Sequence, residues 1–264
     1  MKLSRILCAI DYSVSSRQAL DEALELARGR ATLELCHVRS ATNGDADLEE
    51  WRKTAAAIVP AVTTHSLDGG DIWDAIAEAA ERLAVDLVVA GGGRREGGVL
   101  GTVAERIVRQ APCSVLIVNG RARSPRSILC AVDFSEPARA ALDAAADLSV
   151  EREAALTIVH AFSAGELAVP GMAAGVALAV EARDGADKAL RGWAAEIEAR
   201  VGHPVTARVV EGPPSDAILA AARDGEHDLV VTGTHGRTGI ARAVLGSVAE
   251  NVVRNAEQPV LVVR

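Results

Sequence analysis

Between Gly233 and Ser247 the chain reads Gly233-Thr-His-Gly236-Arg-Thr-Gly239-Ile-Ala-Arg-Ala-Val-Leu-Gly246-Ser247, a stretch whose chemistry is anion binding. Glycines let the backbone approach a ligand closely, and the unpaired amides of a helix start point at negative charge. Ser247, at the expected helix start, can give its hydroxyl and amide to a phosphate, while His235 and Arg237 can add donors or charge. A plain Gly-rich turn is the alternative. Three features set this stretch apart from one: its Gly-x-x-Gly to Gly-Ser spacing, the apolar run Asp228-Leu-Val-Val-Thr232 before it, and a second strand ending in Asp133.

A carboxylate at the carboxyl end of a parallel strand lies where open α/β sheets bind ligands, so Asp133 can accept hydrogen bonds from ribose hydroxyls. Its competing role is helix capping, since Asp-x-Ser before a helix is ordinary N-terminal chemistry. Asp11 is the equivalent residue near the start of the chain. His37 and His160 both end apolar strands, where a hydrogen-bonded structural histidine is preferred over a catalytic one.

These residues recur because the chain repeats itself. Ile6-Leu-Cys-Ala-Ile-Asp-Tyr-Ser13 matches Ile128-Leu-Cys-Ala-Val-Asp-Phe-Ser135, an offset of 122. Further matches follow in unchanged order, from Gly70–Gly91 against Gly212–Gly233 to Gly101-Thr-Val-Ala-Glu105 against Gly246-Ser-Val-Ala-Glu250. Two homologous domains are expected, 1–120 and 128–264, with the polar Gly- and Pro-containing segment 121–127 as linker. The second carries insertions around 162–190.

Each copy alternates apolar strand-like runs with helical stripes, which implies a parallel sheet with right-handed crossovers. In the first copy the expected order is strand 6–10, a helix, strand 33–38, a polar connection 40–50, helix 51–59, strand 62–66, helix 71–83, strand 87–90, helix 102–109 and strand 115–118. The second copy has strands at 128–132, 156–161, 206–210, 229–232 and 260–263. Residues 163–180 read as a loop or short helix. A main helix over 176–199 is interrupted in propensity by Gly185 and Gly192.

Composition narrows the function. The formal charge is −8, and no basic stripe or row of stacking aromatics is present, which argues against a nucleic-acid partner. Only two Phe, one Tyr and three Trp occur, so the core must be aliphatic. Cys8, Cys36, Cys113 and Cys130 lie in or beside apolar runs without a CxxC pair, and read as reduced thiols of a cytoplasmic protein. No run approaches a membrane span, and the uncharged stretch between Arg5 and Asp11 is too short for a signal-peptide core.

The spacing Gly233-x-x-Gly236, nine residues, then Gly246-Ser247 resembles that of ATP-binding members of the universal stress protein family, and the likeness extends over nearly the whole chain. It implies two tandem Rossmann-like, doubly wound domains of the adenine nucleotide alpha hydrolase type. It also implies ATP, with or without Mg, as ligand. Asp133, Gly233, His235, Gly236, Arg237, Gly246, Ser247 and Val248 would then hold the nucleotide, with Ala161 contacting adenine through its backbone. Family strands equivalent to 115–118 and 260–263 pair across a dimer, so the two halves would form an intramolecular pseudo-dimer. Burial of these strands under neighbouring helices is the alternative, and further homodimerisation stays open.

The first copy departs from the pattern: in Gly91-Gly-Gly-Arg94-Arg-Glu-Gly-Gly-Val-Leu-Gly101-Thr102, Arg94 replaces the second glycine and the loop is shorter. A weakened or lost nucleotide site is expected in 1–120. Three functions remain open. The first is a nucleotide-responsive stress module without strong catalysis. The second is a slow ATPase or phosphotransferase, which lacks a Walker lysine here. The third is a nucleotide-free interaction protein.

Overall fold

The computed structural model describes residues 3–39, 46–68, 70–93, 102–120, 124–163, 173–235 and 245–264. The first half runs β1 (Arg5–Ile10), α1 (Val14–Ala27), β2 (Thr32–Val38), α2 (Ala46–Ala56), β3 (Val62–Leu67), α3 (Ile72–Arg82), β4 (Leu87–Gly91), α4 (Thr102–Gln110) and β5 (Ser114–Val118). The second repeats that order as β6 (Ser127–Ala131), α5 (Glu136–Arg152), β7 (Ala155–Phe162), α6 (Ala173–Val201), β8 (Val205–Glu211), α7 (Pro214–Asp224), β9 (Leu229–Gly233), α8 (Ser247–Asn255) and β10 (Val260–Val263).

The ten strands of the described residues form one sheet, ordered β3-β2-β1-β4-β5-β10-β9-β6-β7-β8. Pairing is parallel within each half. The halves meet through the antiparallel pair β5–β10, with Val260 opposite Ile117, Leu261 opposite Leu116 and Val262 opposite Val115. These short β-branched strands would each be an exposed pairing template at a sheet edge, and each removes the other's liability. Residues of both faces are buried, as parallel sheets require: α1, α2, α5 and α6 cover one face, and α3, α4, α7 and α8 the other.

The residue following the last strand of each half caps the last helix of the other. Asn119 Nδ2 donates to Ala256 O and Gln258 O, both at 3.1 Å. Arg264 donates to Val108 O and Arg109 O, both at 2.9 Å, so helix ends left with unpaired carbonyls are satisfied across the join. Beside them Arg109 and Arg254 bridge Glu105 and Glu250 in a four-membered ring of charges spanning α4 and α8. Those charges are partly solvated, so each pair is worth under about 1 kcal/mol. Asn119 is 3% exposed and loses two bonds at once. We expect Asn119→Ala to cost about 2 kcal/mol in urea unfolding and Arg109→Ala under about 1 kcal/mol.

Two expectations need correction. Helix α2 begins at Ala46, inside the stretch read as a connection up to residue 50. Helix α6 runs unbroken for 29 residues from Ala173, three residues before the expected start at 176 and through part of the segment read as a loop or short helix. Gly185 and Gly192 both face solvent there, while Leu190, Ala194 and Ile197 bury against the sheet and outweigh the glycines' propensity cost, about 1 kcal/mol each. The four cysteines are free thiols, three of them buried, as the sequence suggests. No helix among the described residues is long and apolar enough to cross a membrane.

Candidate functional site

In the second half the strand order reverses between β6 and β9, and a cleft of about 230 Å³ opens outside their carboxyl ends, where doubly wound sheets bind ligands. Asp133, Ala161, Gly233, His235, Gly246, Ser247 and Val248 all line it. Gly236 and Arg237 lie outside the described residues, as do Arg94 and Arg95 of the first half.

Asp133 stands two residues past the end of β6. Its Oδ1 accepts the Ser135 amide at 3.1 Å and the Ser135 hydroxyl at 2.5 Å. Ser135, not Asp133, is the N-cap of α5, its hydroxyl accepting from the Ala138 amide at 3.3 Å. Asp133 therefore braces the capping residue while lining the cleft. The turn between them passes through Phe134, held at φ 65°, a left-handed conformation costly for an aromatic residue. Ring contacts secure it: Phe134 lies 4.7 Å from His160 and 5.4 Å, edge-on, from Trp193, over which Arg139 sits at 5.5 Å. Tyr12, His37, Trp51 and Arg17 build the same stack in the first half, with Tyr12 at φ 63°.

His160 Nδ1 lies 2.8 Å from Val132 O, and His37 Nδ1 lies 2.8 Å from Ile10 O. A carbonyl only accepts, so each Nδ1 carries a proton and ties the ends of neighbouring strands together. The structural reading of both histidines fits this geometry.

The helix side of the cleft is electropositive by construction. Gly246 is the N-cap of α8 and has no side chain to cap it with, so among the described residues no side-chain cap satisfies the first-turn amides. The Gly246 amide donates to Thr234 O at 2.7 Å, which pins the helix start to the end of β9. His235 Nδ1 lies 3.0 Å from the Thr234 hydroxyl, while its Nε2 is buried without a hydrogen-bond partner among the described residues. A buried imidazole nitrogen beside an uncapped helix start suits an anion, since leaving it unpaired costs about 1–3 kcal/mol.

Gly233 has a reason for lacking a side chain that the motif does not reveal. A Cβ there would stand 2.8 Å from the Pro137 backbone, in the first turn of α5. Gly91 bears the same relation to Ser15 of α1, at 2.5 Å. These two glycines let a helix start pack on a strand end. Thr234, Pro214 and Ile218 also line the cleft and were not singled out from sequence. The repeat carries a signal for the last two, because they align with Ile72 and Ile76 of an equivalent cleft in the first half.

The family model for the universal stress protein family matches residues 2–54, 41–119 and 125–264, and the chain belongs to that family. A universal stress protein of Mycobacterium tuberculosis (strain H37Rv) is 32% identical over 181 residues, which are 66% of this chain and 59% of that protein. One from Methanocaldococcus jannaschii is 46% identical over 63 residues, 24% of this chain and 37% of that protein. The chain thus spans less than two thirds of either relative's length. A solved universal stress protein from Pseudomonas aeruginosa UCBPP-PA14 shares the fold, with a TM-score of 0.76 at 21% identity, over 99% of this chain and 93% of that one.

Proposed function

We propose that the chain is a nucleotide-responsive regulatory module of the cytoplasm, with one adenine nucleotide site in the second half and a degenerate copy in the first. The division falls at 121–127, and the β5–β10 pairing makes the halves a pseudo-dimer within one chain. The carrying observation is that one cleft at the switch point brings together Asp133, the start of α8 and the Nε2 of His235, the last two without side-chain partners among the described residues. Asp133 accepts ribose hydroxyls at one end of the cleft. The α8 amides, Ser247 and His235 receive the phosphates at the other, with Gly236 and Arg237 adding an amide and a charge. Ala161 offers its backbone to the base. Magnesium enters with the triphosphate.

Among the described lining residues Asp133 is the sole carboxylate, so ATP binding with negligible turnover is the expected behaviour. Calorimetric titration tests this. Replacing His235 with Ala should weaken ATP by about 10- to 100-fold, the worth of a hydrogen bond to a charged group, and leave adenosine binding unchanged. Equal loss for ATP and adenosine would remove His235 from the phosphate end. Steady ATP turnover would replace the binding module with an enzyme.

A further inference from the structure

Asp133 reaches its place in the second-half cleft through a turn that the next residue resists. Phe134 holds φ 65°, which an aromatic residue adopts only when its surroundings impose it. Two elements impose it here. The Phe134 ring lies 4.7 Å from that of His160, a cleft-lining residue on β7, and 5.4 Å, edge-on, from that of Trp193 on α6. Trp193 is fixed in turn by the docking of α6. Arg139 of α5 sits 5.5 Å over its ring and donates to Glu196 at 2.8 and 2.6 Å, while Leu190, Ala194 and Ile197 of α6 are buried in the core.

The first half is built the same way. Tyr12 holds φ 63°, its ring 4.6 Å from that of His37 and 5.8 Å from that of Trp51, with Arg17 5.4 Å over Trp51. Trp51 stands on α2, which has 11 residues against 29 in α6, so the prop is common to two helices of very different length. The propped turn also holds the carboxylate. Asp133 Oδ1 accepts the Ser135 amide at 3.1 Å and the Ser135 hydroxyl at 2.5 Å across Phe134, and relaxing Phe134 to a negative φ would break both bonds. A ligand bound through Asp133 therefore selects the strained turn, and its affinity scales with the fraction of chains that hold it.

We propose that Phe134 and Trp193 are positioning residues of the second-half site. Docking of α6 holds the left-handed turn that presents Asp133, and a ligand bound through Asp133 tightens α6 onto α5 in return. The identity of that ligand rests on the function proposed above; the propped turn rests on its own contacts. The coupling acts at the ribose end, so it is the same for ATP and adenosine, in contrast to His235 at the phosphate end.

Calorimetric titration of the full chain with ATP and with adenosine, together with NMR hydrogen exchange of the ligand-free chain, tests this. Trp193→Ala should weaken both ligands about tenfold. It should also speed exchange of the Ser135 amide about tenfold, while the Leu142 amide in the buried middle of α5 is unchanged. Trp193→Phe, which keeps a ring, should restore affinity and exchange alike. Trp193→Leu, which keeps the apolar volume, replaces the alanine variant if that does not fold. Phe134→Gly makes the left-handed turn free of strain, so in that background removing Trp193 should change either affinity less than about twofold. Loss of ATP affinity alone, an unchanged Ser135 amide, or a Trp193 effect of full size in the glycine background overturns the proposal. A Ser135 amide that responds only when Phe134 is present, in a chain that binds neither ligand, upholds the propped turn and sinks the nucleotide assignment of the second half.

Discussion

A methyl group at Gly91 is expected to cost the fold about 3 kcal/mol, the upper end of overpacking penalties. Its Cβ would stand 2.5 Å from the carbonyl carbon of Ser15, 2.6 Å from its oxygen and 2.8 Å from its Cβ. The obstacle is main chain in the first turn of α1, so no side chain can swing away. Relief requires shifting α1, whose Ala19, Leu20 and Ala23 are fully buried against the sheet. Gly233→Ala meets Pro137 at 2.8 Å and should cost less, about 2 kcal/mol. In a chain of this size these penalties lower Tm by roughly 5–12 °C. Thermal unfolding of both variants without ligand checks the ordering. Unchanged melting for either would mean that its glycine is kept for a ligand, not for packing.

The second large effect is a stabilisation. Where α1 and α5 approach across the join, Glu22 and Arg152 line a cavity of about 20 Å³, room for one water, walled by leucines. Glu22 is 7% exposed. The Arg152 side chain is 7% exposed, and its Nε and Nη2 find no hydrogen-bond partner among the described residues, with Glu151 3.6 Å from Nε. Burial pushes the Glu22 carboxyl up to about 7; the Arg152 charge pulls it down and Glu25 adds to the rise. Desolvation therefore outweighs pairing. An acid whose pKa is raised by folding binds its proton more tightly in the native state, so its contribution falls as pH climbs from 4.5 through 7 and is flat above. Glu22→Gln removes that penalty. Above pH 7.5 the variant should be more stable than wild type by about 2–3 kcal/mol, and the two should converge near pH 4.5. Urea titrations across that range decide it. A variant less stable than wild type at pH 8 would show that attraction to the Arg152 charge, not desolvation, dominates the site.

Much of this was legible in the residues themselves. The match of Ile6–Ser13 to Ile128–Ser135 predicts two copies of one strand–helix plan, and β1 and β6 begin those copies. The spacing from Gly233 to Ser247 predicts a helix start facing a strand end, and α8 opens at Ser247. What was not legible depends on partners distant in the chain. Trp51 and Trp193 fall in the poorly matched segments, so nothing in the repeat marks them as equivalent props beneath Tyr12 and Phe134. Glu22 and Arg152 read as ordinary positions on helical stripes, and they face one cavity only because β5–β10 pairing sets α1 beside α5. Gly91 and Gly233 carry two explanations in sequence, and the packing one needs the coordinates of the helix start opposite them.

ATP stoichiometry tests the central claim most directly. The nucleotide content of the purified chain and its calorimetric titration with ATP are compared with those of Gly236→Arg, which copies Arg94 of the first half into the second. One ATP per chain, lost in the variant, is the predicted result. No ATP in the wild type, or binding untouched by the substitution, would contradict a nucleotide site built on Asp133, His235 and the start of α8.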